Sequence, residues 1–406
     1  MPATISSDAP VSDLDPFSEA FLRDPYPGHE RLREAGPVVR LGAYGIWGMA
    51  RHEHVAGALT DHETYRSAAG VGLADFTKEE PWRPPSLLLE ADPPEHTRAR
   101  HAVAAVLTAK RVRTLREDFE RAAEARVEDV LDRGSFDAVA DLASPFPNDV
   151  FPDAVGVPRE GREHLMAYGN MVFNAFGPRN RLCEESAVGM DEARAWIAES
   201  CRRENLHDGG LGAEIHDRAV EHEISAEEAG LLVRSLLSAG VDTTVHGLGN
   251  AIFCLATHPG QWAALRADPG HARAAFEEAL RFESAVQTFF RTTTRDVEVD
   301  GANVPAGEKV LLFLAAANRD PRHWDQPDRF DIARKATSHL GFGTGIHACV
   351  GRAIARLEGE VLLAALARRV ESIELAGEPV PKLNNTLRGF ERLPVRATPA
   401  RTGDRR

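Results

Sequence analysis

Gly341-Phe342-Gly343-Thr344-Gly345-Ile346-His347-Ala348-Cys349-Val350-Gly351 runs directly into a helical pattern from Arg352 to about Ala367. Three alternating glycines before a cysteine permit a tight loop that side chains would block. Such a loop can turn several backbone N–H groups toward the sulfur. The cysteine also precedes a helix, whose N-terminal N–H groups and dipole favour an anion. The pattern suits a thiolate. Competing readings fail on spacing. A phosphate loop needs Gly-Lys-Ser/Thr after its glycines, and a dinucleotide fingerprint needs G-x-G-x-x-G. A zinc site needs more ligands than His347 and Cys349. Covalent c-type haem needs C-x-x-C-H.

Outward from that loop, composition narrows the partners. The chain has 406 residues, 43% apolar and 27% charged, enough to bury a large core. A net charge of −14 argues against nucleic acid, whose phosphates need a basic footprint. Cys183, Cys201, Cys254 and Cys349 are scattered and fit neither a zinc site nor a disulfide framework. That usage suggests a reducing compartment. No signal peptide and no apolar run of ~18 residues is visible, so a cytoplasmic protein without a membrane span is expected.

Residues 1–14 and 401–406 read as disordered, and 15–400 as one domain. Val38-Val39-Arg40-Leu41 and Ile46-Trp47-Gly48-Met49 read as a β-hairpin, and a second strand region covers Val297–Val299 and Val310–Phe313. From Glu95 to about Leu375 the spacing is mostly helical. Ser225 and Glu228 form a capping box before an apolar run that ends at Thr257. This predicts one central helix of about 32 residues, roughly 48 Å long. Its middle, Ala239-Gly240-Val241-Asp242-Thr243-Thr244, carries residues that weaken a helix, and a broken local rule in a core element often marks function.

The glycine loop resembles the haem-binding signature F-x-x-G-x-x-x-C-x-G of the cytochrome P450 family, matched in full. Ala239 to Thr244 resembles the family's oxygen-activating segment, and Glu278-Ala279-Leu280-Arg281 its E-x-x-R, with Arg329 as third partner. His96 and Arg100, in Asp92-Pro93-Pro94-Glu95-His96-Thr97-Arg98-Ala99-Arg100, resemble the haem-gripping helix. The resemblance implies a mainly α fold with small β-sheets, a long central helix lying over a buried haem b (iron protoporphyrin IX). It makes Cys349 the iron ligand, which favours O–O cleavage. It gives the propionates to His96, Arg100, Arg291 and His347, and places Phe342 beside the cofactor. Asp242 and Thr243 become the proton-delivery pair. Glu278, Arg281 and Arg329 become a buried ionic network supporting the cysteine loop.

Within the family, Trp82-Arg83-Pro84-Pro85-Ser86-Leu87-Leu88-Leu89-Glu90, Val233-Arg234-Ser235-Leu236-Leu237-Ser238 and Val286-Gln287-Thr288-Phe289-Phe290-Arg291 resemble bacterial members that oxidise para-substituted benzoates such as 4-methoxybenzoate. That likeness implies a carboxylate held by Arg83, Ser86, Arg234 and Ser235. Phe173, Phe176, Phe289, Leu89 and Ser238 would line the ring pocket. Ser235, Ser238, Ala239 and Asp242 would share one helical stripe. Ser235 and Thr243 lie about 12 Å apart along a helix axis, roughly the length of such a substrate. An arginine in an apolar helix is costly unless paired, and a bound carboxylate would pair Arg234.

The expected reaction uses O2 and electrons from a [2Fe–2S] ferredoxin and its NADH-dependent reductase, docking on Lys110, Arg111, Arg113 and Arg352 of a monomer. The alternatives are a P450 acting on another aromatic acid or a bulkier natural product, and a non-catalytic haem sensor or electron carrier. No function attaches to His246 or to residues 204–221.

Overall fold

The computed structural model describes residues 9–400. It is mainly helical with four small sheets, as the spacing predicts. Three helices make its centre. Ala109–Leu131 and Ala272–Phe282 both pack on Arg352–Arg369, the helix that follows the cysteine loop.

The expected capping box is present. Ser225 Oγ accepts from Glu228 N at 3.1 Å, and Glu228 Oε2 accepts from Ser225 N at 2.8 Å. The helix it starts is not continuous. Ala226–Gly240 is followed by Asp242–Thr257, with Val241 between them. The hydroxyls of Thr243 and Thr244 donate to the carbonyls of Ala239 and Gly240 at 2.7 and 3.0 Å, competing with the helix ladder there. Gly240 lies so close to Phe151 that a Cβ would stand 2.4 Å from the ring. Glycine, packing and side-chain bonds together break the helix where the sequence weakens it.

The hairpin pairs Val39–Leu41 with Ile46–Met49, antiparallel. It belongs to a six-stranded sheet in the order Val11–Ser12, Val39–Leu41, Ile46–Met49, Lys309–Phe313, Thr288–Thr293, Tyr65–Arg66. The second strand region divides. Val297–Val299 turns back through Asp300 and Gly301, both at positive φ, to pair with Ala302–Val304. Lys309–Phe313 crosses to the large sheet, where it is wholly buried.

One expectation is corrected. Residues 9–14 are ordered, because the edge of Val39–Leu41 offers unpaired backbone groups. Arg40 N donates to Pro10 O at 2.8 Å and Gly42 N to Ser12 O at 3.0 Å, while Leu14 is buried in an apolar cluster with Phe17 and Leu32. Residues 1–8 and 401–406, also expected to be disordered, lie outside the described residues.

Candidate functional site

The cysteine loop is built as its glycines suggest. Gly343 and Gly345 take positive φ, 63° and 69°, and Cys349 N donates to Phe342 O at 2.8 Å. The Cys349 thiol opens onto an internal cavity. Burial pushes its pKa up. Backbone N–H groups of Gly351 and Arg352 and the charge of Arg100 pull the other way. A bound metal cation deprotonates a coordinating thiol outright.

Around that sulfur the donors fit a dicarboxylate cofactor. His96 and His347 lie with ring centroids 4.3 Å apart, and each has a buried Nε2 without a hydrogen-bond partner. Burial holds His96 down at about 4. Arg291 is 3% exposed, its guanidinium bonds among the described residues only to the neighbouring Phe290 carbonyl at 2.8 Å, and it is pushed down to about 10 by burial. Arg100 donates to Ala348 O at 2.6 Å. Buried donors left unpaired are costly, and two propionates would pair them. Arg100, Arg291, His347, Phe342 and Cys349 line one cavity; His96 stands behind His347. Phe342 lies between the Arg356 guanidinium, 5.0 Å away, and His339 at 5.5 Å. These residues suit haem b.

Opposite the cysteine, Thr243 lines the same cavity and Asp242 does not. The break at Val241 turns Asp242 out of the expected stripe, leaving Ser235, Ser238 and Ala239 on the wall. Asp242 is 1% exposed and faces His246 and Lys382 instead. Glu358, which the sequence reading missed, also lines the cavity; burial pushes its carboxyl well up, against a hydrogen bond from Thr244.

At the far end Arg83, Ser86, Arg234 and Ser235 converge. Ser86 Oγ and Ser235 Oγ are 3.0 Å apart, and Arg234 donates to Pro84 O at 2.7 Å. Arg234 is buried, with no ion pair among the described residues, and burial lowers its pKa. Arg83 is paired with Glu90 at 2.9 Å, and Glu90 Oε2 also accepts from Ser86 N at 2.8 Å. Glu90 was missed; its signal was a lone acid after Leu87-Leu88-Leu89. Between the two ends Phe173, Phe176, Phe289, Leu89 and Ser238 form walls, with Phe173–Phe176 and Phe176–Phe289 edge to face at 5.8 and 5.9 Å.

Below the cysteine loop, Glu278 and Arg281 form a fully buried pair at 2.7 Å. The third partner is corrected. Arg329 is 60% exposed in its side chain and pairs with Asp331; only its carbonyl meets Arg281, at 3.2 Å. Arg334 supplies the second guanidinium, with Nε 3.2 Å from Glu278. Arg334 lies five residues beyond Arg329, on a loop whose fold the spacing does not reveal.

A cysteine loop that opens onto an internal cavity, basic donors suited to two propionates and a distorted central helix are the features of a haem-thiolate monooxygenase. The chain belongs to the cytochrome P450 family; the family described as Cytochrome P450 matches residues 147–398. It is 56% identical over 400 residues, 98% of this chain and 97% of the other, to Cytochrome p450 CYP199A2 of Rhodopseudomonas palustris. It is 32% identical to the Vitamin D(3) 25-hydroxylase of Pseudonocardia autotrophica, over 95% of this chain and 96% of that one. Cytochrome P450 CYP109Q5 from Chondromyces apiculatus superposes with a TM-score of 0.81 at 31% identity, covering 95% of this chain and 98% of its own. The cofactor is therefore haem b, and the enzyme uses O2 and electrons from redox partner proteins. No helix among the described residues is long and apolar enough to cross a membrane.

Proposed function

We propose that this enzyme oxidises the para substituent of benzoic acids, including O-demethylation of 4-methoxybenzoate. The observation that carries the reading is the charge at the far end of the cavity. Arg83 is balanced by Glu90, whereas Arg234 is buried and makes no ion pair of its own among the described residues. Leaving a buried cation unpaired is expensive. One carboxylate on the ligand removes that cost; beside it Ser235 already donates to Leu231 O at 2.9 Å, so the hydroxyl that can turn to the ligand is that of Ser86, 3.0 Å from Ser235 Oγ.

With the carboxylate fixed there and the ring between Phe173, Phe176 and Phe289, the para group is directed toward Cys349. Haem held by Cys349 would supply oxygen activation, so that with two electrons and two protons one atom of O2 would enter the substrate C–H bond and the other leave as water. Hydroxylation of a methoxy carbon gives a hemiacetal, which collapses to formaldehyde and a phenol. The chain's own part is orientation and exclusion of water. His96, Arg100, Arg291 and His347 would hold the propionates, and Asp242 and Thr243 would deliver protons.

The test is a titration of substituted benzoates followed by the haem absorption. Replacing Arg234 by Ala should weaken 4-methoxybenzoate by on the order of 100-fold, the loss of a buried charge-assisted contact. An unchanged affinity would seat the carboxylate elsewhere. Another aromatic acid or a bulkier natural product is the second reading; the three phenylalanines around the cavity favour the flat, small ligand. Membership of a monooxygenase family removes the sensor or carrier reading.

Electrons would come from a [2Fe–2S] ferredoxin reduced by an NADH-dependent reductase. Lys110, Arg113 and Arg352 are exposed on two helices that pack together. Arg111 is engaged with Glu214 at 3.3 Å and contributes less to such a patch. The reading includes a cytoplasmic protein, which its four free cysteines support, and a monomer, which size-exclusion chromatography should return.

A further inference from the structure

The carboxylate end of the cavity lies just beneath the surface. Residues 82–85 form a loop in which Trp82 and Pro84 are exposed, while the Arg83 side chain turns inward and is only 11% exposed. Trp82 is one of few large apolar side chains left in solvent, at 40% exposure. It is flanked by two cations. The Arg83 guanidinium lies 5.2 Å from its ring centroid, and the Arg194 guanidinium, on the helix Asp191–Ser200, lies 5.9 Å from it.

Arg194 is free to do more. Its side chain is 44% exposed, and its acidic neighbour is Asp191 at 3.4 Å, itself fully exposed and so a weak, screened partner. Its other contact is Met171 Sδ at 3.4 Å. Arg234, Arg83 and Arg194 all act electrostatically on the hydroxyl of Tyr168, which lines the cavity. The three arginines thus run from solvent to interior in order of decreasing exposure, in a protein whose net charge is −14.

We propose that Arg194, Trp82 and Arg83 form a docking port for an aromatic carboxylate, which passes its anionic end from Arg194 to Arg83 and Arg234. The ring stacks first on Trp82, between two cations that match its carboxylate. The ligand then moves in with its para end leading. Its carboxylate trails and stops at Arg234, the inner end of the file. A local run of cations on an acidic protein raises the association rate of an anion, and a charge at the rim acts on association more than on final affinity.

This rests on the carboxylate reading above, and stopped-flow mixing of the haem-loaded enzyme with 4-methoxybenzoate separates the two. Arg194→Glu should slow association about fivefold at low salt, with Arg194→Gln intermediate. The difference should shrink in 0.5 M salt, where the Debye length falls to only a few ångströms (about 3 Å at 1 M). The dissociation rate and the size of the spectral change should stay as in the parent. Association of the neutral 4-methoxybenzyl alcohol should not respond to either variant. Equal association rates for Arg194→Glu and the parent at low salt would overturn the port while leaving the carboxylate site standing. A parent enzyme that answers the alcohol but not the benzoate would overturn the carboxylate reading and the port together.

Discussion

The carboxylate of Asp242 and Nε2 of His246 stand 3.4 Å apart on consecutive turns of one helix, both buried, and neither group makes a hydrogen bond among the described residues. Lys382 Nζ approaches the same carboxylate at 4.0 Å. Thr243, the next residue, faces the opposite way into the haem cavity. A carboxylate on one side of the helix and an alcohol on the other can share a proton only by rotation of Asp242 or through water. Asp242→Asn keeps the shape and removes the ionisable carboxyl proposed to carry the proton. Expected is an unchanged benzoate-induced spectral shift with product formation down by roughly 100-fold, the usual worth of a proton-transfer group. NADH-coupled turnover measures it; turnover at the parent rate would remove Asp242 from the reaction.

His246 gives a pH signature. Burial holds its pKa down to about 4, against the pull of Asp242 and with a further push from Lys382. The unfolded chain takes up this proton near its ordinary value of 6.5, while the folded ring stays neutral until about 4. As pH falls through that window the unfolded state binds the extra proton, so stability is lost at about 1.4 kcal/mol per pH unit. His246→Gln should remove that contribution. Denaturant melts of both proteins at pH 7, 6 and 5 should show a shallower fall for the variant, and parallel curves would show that His246 titrates normally.

Legibility followed locality. The cysteine loop, the capping box and the first hairpin could be read because neighbouring residues in the chain determine them. The four residues proposed to hold the carboxylate carried a likeness over short segments, and Ser86 and Ser235 do meet. What escaped depends on distant packing. Val241 breaks the helix where Gly240 meets Phe151, and that break, invisible to a uniform 3.6-residue count, turns Asp242 away from the cavity. Glu90 balances Arg83 through a turn whose closure no periodicity shows. Arg334 took the place expected for Arg329 because loop geometry, not spacing from Glu278, selects the partner.

That last exchange orders three mutations. Glu278 accepts from Arg281 at 2.7 and 2.8 Å, from Asp331 N at 3.0 Å and from Arg334 Nε at 3.2 Å, with no exposure to water. Removing Arg281 leaves a buried carboxylate short of its main partner, a loss of about 3–5 kcal/mol. Arg334→Ala should cost less, since that side chain is partly exposed. Arg329→Ala, at the surface, should stay within about 0.5 kcal/mol. Urea melts of the haem-loaded protein check the order, and a large loss at Arg329 would restore it to the network.

Two glycines flank Cys349, the proposed iron ligand, and they should tolerate alanine unequally. At Gly345, φ is +69°, a region that costs an L-residue roughly 1–2 kcal/mol. A Cβ there would also stand 2.6 Å from the carbonyl of Leu59 and 3.0 Å from Thr60 Cα, backbone atoms at the end of the helix His52–Thr60. Neither can swing aside as a side chain would, so the loop itself must shift. At Gly351, φ is −81° and the nearest atom to an added Cβ is Cys349 Sγ at 3.9 Å, an ordinary contact. Gly345→Ala should therefore lower haem content and diminish the carbon monoxide difference band that reports the thiolate bond. Gly351→Ala should keep both, because its backbone is already one that alanine adopts. If the two variants behaved alike, the loop would be held by something other than the backbone strain and close contact at Gly345.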